Sequence, residues 1–175
     1  IGIHSVQIAN SQPEKADVYI LYTVGGYIRS PGLYEAYTPP SWAVTMAFYP
    51  LVLTGLEKFG DDSVNILPLS EDSFNQAIQN GRFIFIASHG GQSPGKLTFS
   101  MLPYREYGPA DVPQQLVGNQ LQFVYFAGCD AGYLEDQWRR ALRLEDAIMF
   151  DRISMVAEHL VWIWTKSPAV ISALN

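Results

Sequence analysis

"FIFIASHGG", residues 83 to 91, is an apolar run that stops at a histidine followed by two glycines. A second run of this kind, "FVYFAGCDAG" at residues 123 to 132, stops at the only cysteine in the 175-residue chain. Short apolar runs rich in aromatic and β-branched residues, closed by glycine, read as buried strands. These two predict strands over Phe83–Ser88 and Leu121–Ala127, each delivering a chemically capable side chain just past its carboxyl end.

Working outward, "ADVYILYTVGG" predicts a third buried strand, from about Val18 to Val24, and "VNILPL" a short fourth. "YIRSPGLYEAYTPPS" reads as a loop because of its prolines and glycine. The apolar stretch Trp42 to Leu56 contains Pro50 and Gly55 and is too short for a membrane span, so a buried, proline-kinked helix over roughly 41–59 is expected. "SEDSFNQAIQNG" carries helix signals at both ends. Ser70 can cap, Glu71 and Asp72 suit the positive N-terminus, Gly81 stands where a C′ glycine belongs, and Phe74, Ala77 and Ile78 form the apolar stripe. Lys96–Ser100 reads as a weaker strand, followed by a proline-rich loop to about Gly118. Beyond it come a helix over Tyr133–Arg143 with Leu134, Trp138 and Leu142 on one face, a strand at "DAIMF", and a helix over about Ile153–Lys166. Trp162 and Trp164 of that last helix are expected in the core. The arginines of "DQWRRALRLED" read as ion pairs on a solvated helix face.

Strands alternating with helices predict an α/β fold: a mostly parallel central sheet with helices on both faces, in one domain spanning 1–175. In such folds ligands bind outside the carboxyl ends of the strands, where His89 and Cys129 lie. The chain starts at Ile1 without an initiator methionine or signal core, so it reads as a piece of a longer protein.

Composition excludes several classes. Hydrophobic residues make up 48% and charged ones 16% of the chain, which is globular rather than disordered. A net charge of −6, without a basic cluster, argues against nucleic acid. One cysteine makes no internal disulfide and no thiolate metal cage, and His4, His89 and His159 have no metal spacing, so neither metal nor cofactor is expected. The lone thiol fits a reducing compartment, favouring the cytoplasm.

A thiol nucleophile needs an acid/base partner, and its tetrahedral intermediate needs N–H donors aimed at the oxyanion. Glycines beside the reactive residues let a substrate approach the backbone. His89-Gly90 and Gly128-Cys129 supply these parts. A rival lies nearby: "GQSPG", residues 91 to 95, matches the G-x-S-x-G nucleophile elbow, with Ser93, then Asp136 or Asp151, then His159 in serine-hydrolase order. That elbow needs a helix directly after the serine, whereas Pro94-Gly95 predicts a turn leading into a strand. His159, in an apolar helix, reads as a partly buried structural residue.

An apolar strand ending in His-Gly, followed by an apolar strand ending in a small residue and Cys, resembles the caspase-like cysteine peptidase clan. "AGCDAG", with glycine at 132, looks more like the CHAT and separase pattern than the Gln-Ala-Cys-Arg-Gly of caspases. The resemblance implies a caspase-like three-layer sandwich and a cysteine endopeptidase acting on protein or peptide substrates, with a regulatory domain or partner outside this chain. It implies Cys129 as nucleophile, His89 as general acid/base, and the N–H groups of Gly90 and Cys129 as the oxyanion hole. The alternative is a binding or regulatory module of the same fold without catalysis. For specificity, "RSPG" resembles the caspase loop carrying a substrate-binding arginine. Arg29 would then select an acidic residue, whereas Asp130 beside the nucleophile would select a basic one.

Overall fold

The computed structural model describes residues 16–23, 26–30, 33–37, 46–101 and 104–175. Five strands form one central sheet: β1 (Val18–Tyr22), β4 (Val64–Pro68), β5 (Phe83–Ala87), β8 (Phe123–Ala127) and the two-residue β9 (Ala147–Ile148). Their spatial order is β4-β1-β5-β8-β9, and every pairing is parallel. Two small antiparallel hairpins stand apart from it. One pairs β2 (Gly26–Ser30) with β3 (Leu33–Tyr37), and the other pairs β6 (Leu97–Met101) with β7 (Tyr104–Tyr107).

Alternate residues along the strands feed two cores, as the two-residue period of a pleated strand requires. Tyr19, Leu21, Ile84, Ile86, Val124 and Phe126 pack with α2 (Glu71–Asn80), α3 (Glu135–Leu142) and the β6–β7 hairpin. Val18, Ile20, Phe83, Phe85, Phe123 and Tyr125 face α1 (Tyr49–Phe59), α4 (Val156–Thr165) and α5 (Ser167–Ala173). The result is a three-layer sandwich. On the α4 side, parallel pairing in register stacks Phe83 on Phe123 and Phe85 on Tyr125, with ring centroids 5.6 and 4.8 Å apart. The Trp162 ring lies 4.2 Å from that of Tyr125.

The helix signals around residues 70–81 hold at the start and change at the end. Ser70 Oγ accepts the Ser73 N–H at 3.1 Å, and Ser73 Oγ accepts the Ser70 N–H at 2.9 Å, a capping box with serine in the usual Glu position. Gly81 is not left-handed, since its φ is −82°. Its lack of a side chain serves packing instead: a Cβ there would lie 2.9 Å from the Tyr19 ring. Likewise Pro50 sits in the first turn of α1, where its missing N–H costs no helical bond, and so does not kink the described helix. Residues 41–45 of the expected helix, and Val24 of the expected first strand, lie outside the described residues.

Three further readings are corrected. The stretch taken as a loop after β1 holds a hairpin, with Arg29 in β2 opposite Tyr34; its Tyr, Ile and Leu content favours strands enough to outweigh the breakers. The proline-rich segment before Gly118 includes β7 and two short 3₁₀ turns, Pro109–Asp111 and Gln114–Leu116. Trp164 is 54% exposed and takes no place in the core, whereas Trp162 does.

Candidate active site

In the order β4-β1-β5-β8-β9 the chain steps to one side of β1 and then crosses to the other, so the switch point lies between β1 and β5. Connections diverge there and leave a crevice at the carboxyl ends. A cavity of about 270 Å³ opens at this place, bordered by Thr23 after β1, by Ala87, Ser88 and His89 at the end of β5, and by Ala127 at the end of β8.

His89 and Cys129 occupy equivalent positions. Ala87 pairs with Ala127 at the last register position of two adjacent parallel strands, and each reactive residue follows two positions later. The Ser88 N–H continues the pairing to the Ala127 carbonyl at 3.2 Å. Both residues are on the α4 side of the sheet. His89 borders the cavity with Val156, His159 and Leu160, and Cys129 Sγ lies 3.8 Å from the carbonyl oxygen of Ser154, just before α4. Cys129 itself is beside the cavity rather than in its lining.

The glycines permit this approach. A Cβ on Gly90 would stand 2.3 Å from the Cys129 carbonyl oxygen and 3.2 Å from its Cβ, so the two loops touch through backbone. Gly132 is equally constrained: a Cβ would lie 2.7 Å from the Asp151 nitrogen. The short ladder after β5 uses the Thr98 N–H on the His89 carbonyl and the Gly91 N–H on the Lys96 carbonyl, which leaves the Gly90 N–H outside that ladder. Asp130 adopts φ 60°, a left-handed turn that an aspartate tolerates. Its carbonyl accepts N–H bonds from Gly95 and Tyr133. Asp130 thus shapes the turn after Cys129. Its carboxylate does not border the cavity.

One element of the site was not legible in the sequence. Ser154 Oγ lies 3.9 Å from Cys129 Sγ and 2.9 Å from His159 Nε2, and His159 Nδ1 lies 3.0 Å from the Tyr125 hydroxyl. His159 is 9% exposed, and burial lowers its pKa, so the ring is neutral at pH 7. Burial, with the nearby Glu158 charge second, pushes the Tyr125 hydroxyl up to about 12 and keeps its proton in place. A neutral ring satisfies both neighbours, donating from one nitrogen and accepting at the other. The side chain read as structural is therefore a buried polar link between the sheet and the segment beside the thiol. Its partners are 5 and 34 positions away, beyond the reach of local pattern.

The serine elbow does not form. Gly91–Gly95 is a turn entering β6, with no helix after Ser93. Ser93 Oγ donates to Glu106 Oε2 at 2.8 Å, while His159 is engaged by Tyr125 and Ser154. Burial works to raise the Glu106 pKa, but hydrogen bonds from Tyr104 and Ser93 outweigh it and bring it down to about 2. A carboxylate depressed on folding stabilises the fold above its ordinary value of 4.5 and loses that contribution as pH falls towards 2. The Tm advantage of the native protein over Glu106→Gln is therefore expected to shrink to nothing between pH 4.5 and 2, as followed by circular dichroism. A constant advantage across that window would show that Glu106 is not the titrating group.

A second cavity, about 450 Å³, lies between the start of α2 and β7, where Arg105 pairs with Glu71 at 3.3 Å. It contains neither His89 nor Cys129. Among the described residues no group of three His, Cys, Asp or Glu side chains could hold a metal ion, and no helix is long and apolar enough to cross a membrane. The side chain of Arg29 lies outside the described residues. No family model, no curated protein and no solved structure matches this chain.

Proposed function

We propose that the chain is a cysteine endopeptidase domain with Cys129 as nucleophile and His89 as general acid/base. The observation that carries the reading is the register. The paired ends of β5 and β8 deliver a histidine and the only cysteine at equal positions on one face, beside the cavity at the switch point. His89 takes the Cys129 thiol proton as Sγ bonds to the carbonyl carbon of the scissile peptide, and the N–H groups of Gly90 and Cys129 hold the developing oxyanion. His89 protonates the leaving amine, and the C–N bond breaks to give a thioester. Water then attacks the thioester, its proton passes to His89, and the acid product leaves as the thiol is restored.

Reaction with an electrophilic peptide ketone tests this without knowledge of the natural substrate. Such a ketone is expected to alkylate Cys129 faster than it alkylates glutathione, with His89→Ala abolishing the advantage, as read by peptide mass spectrometry. Equal rates would replace the peptidase reading with that of a non-catalytic binding module.

A further inference from the structure

The cavity beside His89 has walls whose chemistry bears on substrate choice. Phe48, Phe85, Leu160 and Ile163 supply apolar surface, and Ala87 and Ala127 are small enough to leave room between them. No Asp, Glu, Lys or Arg is among its described lining residues. Of the polar residues that line it, His89 serves as the proposed acid/base, and Thr23, Ser88 and His159 are bonded within the protein. Thr23 Oγ1 donates to the Thr98 carbonyl, Ser88 Oγ bonds to the His89 and Thr98 carbonyls, and His159 is held by Tyr125 and Ser154. A basic side chain entering here would lose its water and meet no carboxylate, and an acidic one would meet only His89, whose proton the leaving amine needs. At about 270 Å³ the space is just under the smallest drug-sized pockets, which suits one side chain rather than a cofactor.

From this geometry we infer that the cavity is a specificity pocket for a single large apolar side chain, Leu or Phe in type, flanking the scissile bond of a peptide substrate. The inference rests on the peptidase reading and replaces both charge-selecting alternatives, Arg29 for an acidic residue and Asp130 for a basic one.

A series of peptide ketones identical except for Leu, Phe, Ala, Asp or Arg at the position before the electrophile provides the test, with iodoacetamide as a reference that needs no pocket. Leu and Phe ketones are expected to label Cys129 at least ~10-fold faster than the Ala, Asp and Arg ketones. Leu160→Glu, at the half-open rim, is expected to remove that preference, read as each ketone rate divided by the same protein's iodoacetamide rate. Val156→Glu serves the same purpose if the first variant does not fold. Fastest labelling by the Asp or Arg ketone, or equal labelling by all five above the iodoacetamide rate, would overturn the pocket and leave the peptidase standing. If no ketone outpaces iodoacetamide, the peptidase reading fails first and the pocket falls with it.

Discussion

Substitution of Cys129 by alanine is expected to eliminate peptide hydrolysis, and His89→Ala to lower kcat/KM by at least ~10³-fold. The two losses should not add, because nucleophile and acid/base act as one unit, and the double variant should fall no further than Cys129→Ala. Neither substitution should unfold the protein. Both residues lie past the ends of strands whose own residues form the core, and Cys129 is only partly buried. Thermal melts unchanged within a few degrees would separate lost chemistry from lost structure. Ser93→Ala, by contrast, should retain most activity, since its hydroxyl serves Glu106. Full hydrolysis by the Cys129→Ala protein would end the thiol mechanism.

The largest effect on stability is expected at Trp138. The indole is fully buried in α3, lies 5.0 Å from the Phe126 ring, and donates its Nε1–H to the Gly95 carbonyl at 2.8 Å. Trp138→Ala removes the largest fully buried side chain among the described residues, at a cost of about 3–5 kcal/mol. Trp138→Phe keeps most of the ring but leaves the Gly95 carbonyl without its donor, about 1–3 kcal/mol. Urea unfolding should order the three proteins accordingly. Because Gly95 also donates its N–H to the Asp130 carbonyl, the phenylalanine variant tests whether Trp138 steadies the turn after Cys129. Its alkylation rate should change even where its fold does not.

The sandwich was legible because its strongest signals are local. Apolar runs such as Phe83–Ala87 and Phe123–Ala127 can satisfy a two-sided core in few conformations, and capping at Ser70 is decided within four residues. Elements that rely on partners far along the chain were not. The β2–β3 hairpin lies in a stretch full of breakers, and the exposure of Trp164 depends on the orientation of α4, which its nearly continuous apolar sequence does not define. The same reason hid the Tyr125–His159–Ser154 link. Histidine 159 could be seen, but what it touches depends on α4 packing against β8. For the site itself, strand endings gave His89 and Cys129, while the apolar walls beside them come from four separate segments and have no signature in any one of them.

The wholly parallel pairing of the central sheet has a kinetic consequence. No two neighbouring strands in it are joined by a tight turn, so each pairing must close a long loop before it gains any contact energy. β1, the first of the five in chain order, takes an inner position, so one of its edges waits for β4 and the other for β5. Contact order of this kind places folding of two-state domains towards the slower part of the range, and the β1–β5–β8 centre is expected to assemble in the rate-limiting step. Weakening that centre, as with Ile84→Ala, should slow refolding, whereas trimming α5 contacts at Ile171 should mainly hasten unfolding. Nascent chains would meanwhile carry apolar strands without neighbours, and this is the interval in which such a protein is most exposed to aggregation.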